Sequence, residues 1–345
     1  MLCGLLWLEN KFVMMARQFD ESDVKVRPPR STRPRSKDRP LHADAVSALV
    51  TTVDRGRTTC ITDAGVIITA MRARELGPKA VVVGDIVSIV GDASGAIGTL
   101  ARIVSVRERK NSLTRTVDDD AKVERVIVAN IDQLVIVVAS SNPEPRRGLI
   151  DRFLVSAFNE AISPIILVTK TDLSEPPAFL DEYRNLDIQV MTTQKGESLN
   201  ALHSLLAGKI SVLVGHSGVG KSTLINALLP HAQRVIGEVN EVTGRGRHTS
   251  SSAIALPLSP ELKMSDGWVI DTPGIRAFGL AHIDPNRIIA SFSDLKDVIA
   301  QCMPNCSHNE ASCALEQWAA PDGVPHLKRQ ARIQSLRSLL EIKLD

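Results

Sequence analysis

The apolar, β-branched run Lys209 to Val214 passes without a break into Gly215-His216-Ser217-Gly218-Val219-Gly220-Lys221-Ser222-Thr223, and the helical run LINALL follows. Glycine, four residues, then Gly-Lys-Ser is the phosphate-loop spacing, and a strand before it with a helix after it is the context that gives the spacing meaning. The glycines let successive N–H groups turn inward around phosphates, the helix N-terminus adds partial positive charge, and Lys221 reaches the outer phosphates. Ser222 is placed to hold Mg2+. No other feature constrains the fold as tightly, because a loop of this kind needs an α/β sheet to carry it.

Two further motifs surround the loop. About 50 residues downstream, the apolar strand Trp268-Val269-Ile270 ends in Asp271-Thr272-Pro273-Gly274. An acidic strand end can hold the Mg2+ water shell, and the Gly274 N–H can meet a γ-phosphate. A guanine-reading element should read Asn-Lys-x-Asp at a strand end, with the aspartate accepting from the base donors. The chain has Thr169-Lys170-Thr171-Asp172 after PIILV, ahead of the phosphate loop instead of behind it. Asp172 supplies discrimination against adenine, and the Lys170 stem can pack on the base. Thr169 in place of Asn is expected to weaken the bracing of the loop more than the identity of the base. Thr192-Thr193, at the end of the next strand, stands where a backbone contact to the guanine oxygen is expected. This order is that of a circularly permuted P-loop GTPase, and it requires the usual chain ends to lie close in space. The segment around Gly274 then leads straight into the C-terminal part, so loss of a γ-phosphate can move that part through continuous chain.

The expected fold is multidomain. From about residue 45 to 110, the runs ALVTTV, GVIITAM, VVVGDIVSIV and GAIGTLARIVSV indicate an OB-type β-barrel, with nucleic-acid binding and a purely structural role both open. Residues 111–283 form the α/β P-loop GTPase domain: strand DQLVIVVAS, helix LIDRFLVSAFNEA, strand PIILVTK, helix AFLDEYRN, strand IQVMTT and helix SLNALHSLLAG precede the phosphate-loop strand. Such alternation predicts a parallel sheet covered on both faces. The stretch from Arg107 to Val126 is read as a charged connector. Residues 284–345 read as a helical domain. The first 44 residues form an arm whose Val24–Pro40 stretch is rich in Arg, Lys and Pro, suited to a solubilising tail or to RNA contact. The apolar cluster Leu5-Leu6-Trp7-Leu8 is interrupted by Glu9, Asn10 and Lys11; a start at Met14 or Met15 is an alternative to a signal peptide.

Cys302, Cys306, His308 and Cys313 offer three thiols and one imidazole within twelve residues. Tetrahedral Cys3His zinc sites are built from such sets, and filling all four positions makes the site structural; free cysteines in a helical tail are the alternative. The net charge of +2 excludes a polycation, so nucleic-acid contacts need local basic patches. No later stretch reaches the roughly 18 apolar residues of a spanning helix, and the chain is expected to be cytoplasmic and monomeric.

The permuted motifs, the barrel ahead of them and the Cys-His cluster behind resemble RsgA, the small ribosomal subunit biogenesis GTPase family, over roughly residues 45 to 335. Supporting stretches are Arg109-Lys110-Asn111 with Leu113 and Arg115, Ala129-Asn130-Ile131-Asp132-Gln133, Leu149-Ile150-Asp151-Arg152-Phe153, and Gly244-Arg245-Gly246-Arg247-His248-Thr249. The resemblance implies GTP hydrolysis with Mg2+, stimulated by the 30S subunit during late maturation, one structural zinc, and rRNA contacts through the barrel and zinc domain. It puts His248, Thr249 and Ser250 in the first switch, with the Mg2+-sensing hydroxyl open between Thr249 and Ser250. Ile275 stands where Ras-like enzymes orient water with Gln, and an aliphatic side chain cannot do so. The resemblance offers His248 as the catalytic group; an exposed loop histidine without chemistry is the alternative. The cysteine spacing is one residue shorter in both gaps than is usual in the family. Two other functions remain open, a nucleotide-gated RNA-binding module with negligible turnover and an ATP-using P-loop protein, which Asp172 opposes.

Overall fold

The computed structural model describes residues 42 and 44–341 apart from 55, 78–79, 117–123, 185, 187, 232–252, 273–283 and 324–325. The basic arm therefore lies outside the described residues almost entirely. Five strands, β1 (Val46–Asp54), β2 (Arg57–Thr62), β3 (Ile67–Arg72), β4 (Ile86–Val90) and β5 (Ala101–Val106), come first. β1 pairs antiparallel with β2 and β4, β2 with β3, and β4 with β5, while β3 and β5 run parallel. That circuit closes an OB-type barrel, which has no free edge to protect. Ala48, Val50, Cys60, Ile68, Val87, Ile89 and Ile103 fill its interior.

Two sequence readings change here. β2, the Thr-rich run Arg57–Thr62, was absent from the expected strands although its β-branched content signals one. Of VVVGDIVSIV, only Ile86–Val90 is strand; Val83 instead bridges to Val128 outside the barrel.

Beyond the barrel, the supposed connector contains a hairpin, β6 (Ser112–Thr116) with β7 (Glu124–Ala129). The parallel sheet then follows as β8 (Gln133–Ala139), β9 (Ser163–Thr169), β10 (Gln189–Thr192), β11 (Ile210–Val214), β12 (Ile254–Pro257) and β13 (Trp268–Asp271). Its spatial order is β10-β9-β8-β11-β13-β12, parallel except for β12. The phosphate-loop strand β11 thus lies between β8, which precedes it in the chain, and β13, which follows it. All seven residues of β8 are buried, as a central strand covered on both faces requires. The covering helices are α1 (Arg147–Asn159), α2 (Asp181–Arg184), α3 (Asn200–Leu206) and α4 (Lys221–Leu228). The helix expected over AFLDEYRN shrinks to a 3-10 turn and the four residues of α2.

β1 also pairs with β12, Thr52 opposite Ile254, so barrel and sheet form one run of eleven strands. A second joint uses the RKN and ANID stretches. Arg109 grips the buried Asp85 carboxylate with two bonds of 2.7 and 2.9 Å, and the Asn111 side chain both donates to and accepts from the Ile131 backbone at 2.8 Å. A Cβ at Gly84 would stand 2.1 Å from the Ala129 carbonyl oxygen, so glycine is required where barrel and hairpin touch.

The C-terminal helices are α5 (Pro285–Ala290), α6 (Lys296–Ile299), α7 (Ala314–Ala319) and α8 (Leu327–Glu341). Asp284 caps α5 by accepting from the Asn286 N–H at 2.7 Å, with Pro285 at the first helical position. These helices pack on α1 through Val155 against Ile288, Phe292, Leu315 and Leu336. Beside that core the buried Asp151 of α1 accepts from Tyr183 Oη (3.0 Å), Arg332 Nη1 (3.0 Å) and Ser335 Oγ. Arg332 also binds Asp294 twice at 2.9 Å and lies 4.2 Å over the Phe292 ring. Among the described residues, no helix is long and apolar enough to cross a membrane.

Candidate nucleotide site and metal centre

The C-terminal ends of β8, β9, β10, β11 and β13 lie side by side, and most of the described candidate residues gather there. Gly215 ends β11 with φ 148°, and a Cβ on it would meet the Val137 carbonyl oxygen at 2.1 Å. The loop can lie this close to β8 only as glycine. Gly220, at φ 95°, delivers the chain into α4. Val219 is buried and fixes the loop to the core beneath, while His216, Ser217, Gly218, Ser222 and Thr223 are exposed at its mouth. Lys221 folds over the loop and donates from Nζ to the carbonyls of Gly215 (2.6 Å) and His216 (2.9 Å).

Asp271 ends β13 in register with Leu213 of β11, and Thr272 Oγ1 ties that end down by donating to the Leu213 carbonyl at 3.1 Å. Burial pushes the Asp271 carboxyl up, with Lys221 and the Thr272 N–H opposing. Burial likewise pushes the Lys221 ammonium down, against the pull of Asp271. A cation and an anion, each held against its solvation preference beside an inward-turned loop, suit a phosphate and the divalent ion that accompanies it.

Thr169 shows what replaces the expected asparagine. Its hydroxyl, buried with the rest of the side chain, lies 2.6 Å from the Val219 carbonyl of the phosphate loop and 3.2 Å from that of Val138. Thr169 therefore braces the phosphate loop with a hydroxyl across β8, the strand that β9 and β11 flank. Lys170 follows with φ 60° and donates from Nζ to the Asn142 carbonyl at 2.5 Å. Asp172 is exposed at the rim. Thr193 is buried; its N–H donates to Val168 at 2.8 Å and its carbonyl accepts from Thr171 Oγ1 at 3.4 Å, while Thr192 is exposed. Ser140 and Asn142, which contact Lys170, escaped the sequence reading because no motif marks the end of β8. His248, Thr249, Ser250, Gly274 and Ile275 lie outside the described residues.

In the C-terminal unit, the ligand atoms of Cys302, Cys306, His308 and Cys313 all lie within 4.8 Å of one another. Cys302 Sγ is 3.6 Å from Cys313 Sγ and 3.7 Å from His308 Nδ1, which is 3.8 Å from Cys313 Sγ. A tetrahedral zinc with Zn–S of ~2.3 Å spaces its sulfurs by ~3.8 Å, so the set fits that ion despite its shortened gaps. Asn305 (φ 61°) and His308 (φ 63°) take left-handed backbone to close the tight loop. Burial pushes the His308 imidazole down against a smaller upward pull from Glu310, leaving the neutral ring a metal requires. The Cys306 thiol donates to Glu310 at 2.8 Å, which pushes it up to about 12; a bound dication reverses that preference by taking the thiolate.

Residues 106–281, just over half of the chain, match the RsgA GTPase family. The small ribosomal subunit biogenesis GTPase RsgA of Ectopseudomonas mendocina (strain ymp) is 38% identical over 224 residues, which are 62% of this chain and 63% of that protein. The protein of the same name from Pseudomonas aeruginosa (strain LESB58) is 37% identical over 231 residues, 64% of this chain and 66% of its own. The match thus spans less than two thirds of the length of these curated relatives. The crystal structure of YjeQ from Thermotoga maritima superposes with a TM-score of 0.61 at 26% identity, covering 86% of this chain and 99% of that one. YloQ, described as a circularly permuted GTPase, shares the fold at a TM-score of 0.60 and 23% identity, over 89% of this chain and 99% of its own. A family match over more than half the chain, on a permuted sheet shared with both solved structures, is decisive: this protein belongs to the RsgA GTPase family.

Proposed function

We propose that the chain binds GTP with Mg2+, hydrolyses it, and acts in the cytoplasm as a monomer on the small ribosomal subunit during its maturation, with hydrolysis driving its release. The observation that carries this reading is the contact of Thr169 Oγ1 with the Val219 carbonyl at 2.6 Å, which joins a base-reading turn to a phosphate loop across the permuted order. The names of the curated relatives supply the ribosomal partner.

In this reading Asp172 accepts from the guanine N1 and N2 donors, the Lys170 stem covers the base, and Thr171, Thr192 and Thr193 shape its edge. Residues 215–223 wrap the phosphates, with Lys221 released from the loop carbonyls to the outer phosphates. Ser222, Asp271 and either Thr249 or Ser250 hold the Mg2+, which neutralises charge on the phosphate oxygens. Gly274 senses the γ-phosphate, and His248 orients the attacking water in place of the absent glutamine. Cys302, Cys306, His308 and Cys313 hold one structural zinc. The working division is an arm over 1–44, a barrel over 45–110 and a zinc unit over 284–345 around the GTPase core 111–283, with rRNA met by the barrel and the zinc unit.

Single-turnover GTP hydrolysis with and without 30S subunits tests this, together with co-sedimentation on 30S particles in GTP analogue and in GDP. Stimulated hydrolysis and nucleotide-dependent binding are expected. Binding without stimulation supports a nucleotide-gated RNA-binding module instead, and binding that ignores the nucleotide overturns the switch. Asp172→Asn should shift preference from guanosine to xanthosine nucleotides.

A further inference from the structure

The base-reading turn is held from β8 as well as from β9. Ser140, the first residue past β8 and almost wholly buried, donates from Oγ to the Lys170 carbonyl at 2.6 Å and from its N–H to the Thr169 carbonyl at 2.8 Å. Lys170 is left-handed at φ 60°, a conformation rare for a residue with a side chain, and its carbonyl also accepts from the Leu173 N–H at 2.9 Å. The Ser140 hydroxyl therefore pins the Lys170–Thr171 peptide, through which the chain leads to Asp172. On the other side, Thr169 Oγ1 fixes the same turn to the phosphate loop.

We propose that Ser140 is a positioning residue for guanine recognition, acting with Thr169 as a pair of buried hydroxyls that hold the Lys170–Asp172 turn in register with the phosphate loop. Neither hydroxyl needs to touch the nucleotide. They set where the Asp172 carboxylate stands relative to phosphates gripped by residues 215–223, and so convert two weak subsites into one site of fixed span. The inference rests on the guanine-reading assignment made above. It also explains why Thr serves where Asn is expected: with Ser140 holding the Lys170 peptide, the residue at 169 has only the phosphate loop to reach. A short hydroxyl on a β-branched strand residue does that without an amide.

The test is competition of GDP, IDP and ADP against a fluorescent GDP on the full chain, with release rates by stopped flow and thermal unfolding in parallel. IDP lacks the 2-amino group that Asp172 is assigned to read, so the GDP-to-IDP ratio reports the placement of that carboxylate. Ser140→Ala and Thr169→Val should each weaken GDP binding roughly fivefold, through faster release, as loss of one buried hydrogen bond predicts. Each should narrow the GDP-to-IDP ratio and leave the weaker ADP affinity unchanged. Thr169→Ser, which keeps the hydroxyl, should restore both values. Wild-type GDP affinity and ratio in Ser140→Ala, or equal weakening of GDP and ADP, overturns the positioning role. A wild-type chain that binds ADP as tightly as GDP overturns the guanine assignment itself, and this inference with it.

Discussion

Replacing Asp151 by alanine tests how the C-terminal helices are fixed to the nucleotide-binding sheet. The carboxylate is 1% exposed and accepts from Tyr183, Arg332 and Ser335 at once. Removing one partner of an isolated buried ion pair costs about 3–5 kcal/mol, because the other charge is stranded. Arg332 is not stranded, since it keeps both Asp294 bonds and its place over Phe292. The Tyr183 and Ser335 hydroxyls do lose a buried acceptor, at about 1 kcal/mol each. Burial pushes the Asp151 carboxyl up despite Arg332, so deleting the charge returns part of its desolvation penalty. Adding the lost charge-assisted bond from Arg332, at about 1.5–2 kcal/mol, and subtracting the returned penalty gives an expected net loss of about 2–3 kcal/mol for Asp151→Ala, and about 1 kcal/mol for Asp151→Asn, which keeps a carbonyl acceptor.

Urea unfolding gives the free energies. Tyr183 is the chain's single tyrosine, so the tyrosine component of the second-derivative absorbance, resolved from that of the three tryptophans, follows the surroundings of this one ring. The double change Asp151→Ala with Ser335→Ala should cost less than the sum of the two singles by at least about 0.5 kcal/mol. An Asp151→Ala protein within about 0.5 kcal/mol of wild type, or strict additivity with Ser335→Ala, refutes the reasoning.

Other substitutions probe the site and the metal centre. Cys313→Ser should remove zinc, read by elemental analysis as a fall from one equivalent toward none, and lower the melting temperature of the C-terminal unit. Gly215→Ala should cut nucleotide affinity by about a hundredfold or more in equilibrium binding, since its Cβ would stand 2.1 Å from the Val137 carbonyl oxygen and force the loop to shift. Asp271→Asn should raise the melting temperature of the nucleotide-free chain while depressing Mg2+-dependent hydrolysis. The sign follows from the raised carboxyl: with its folded pKa above the unfolded value, Asp271 destabilises the fold at neutral pH, and the penalty fades as pH falls through the folded pKa. The melting-temperature gain of Asp271→Asn should therefore shrink on acidification.

The sequence revealed features that one side chain type or one spacing enforces. The phosphate loop was legible because Gly215 and Gly220 are dictated by backbone, and the zinc set because four ligands stand close in the chain. The sheet strands were legible because β8, β9 and β11 each carry an unbroken apolar run, Leu134–Ala139, Pro164–Val168 and Val212–Val214, as doubly covered strands do. What stayed hidden depends on contacts between distant segments. Ser140 meets Lys170 thirty residues away, and Asp151 meets Ser335 across 184 residues. A serine or aspartate on an apolar strand end or helix face carries no mark of such a partner. The missed strand β2 has a different cause: its threonines are buried in the barrel, where Thr52 and Thr59 bond each other at 2.9 Å, so polarity misleads about burial.

The permuted order suggests that the γ-phosphate side of the site alone addresses the C-terminal unit, because that unit follows β13 in the chain. The packing adds a second route. The C-terminal helices rest on α1, and α1 begins seven residues after Ser140, at the far end of the segment that supports the base-reading turn. The metal unit is thus continuous with the phosphate half of the site and packed against the base half. The barrel is placed in a complementary way, joined through β1 to β12 on the phosphate side and through Asn111 and Asn130 to the start of β8. A change at either half of the site therefore meets both flanking units. This makes the relative stiffness of the two contacts the quantity that decides what moves. The C-terminal contact on α1 is held by a buried, multiply bonded carboxylate, and among the described residues the barrel joint at β12 is held by the pairing of Thr52 with Ile254.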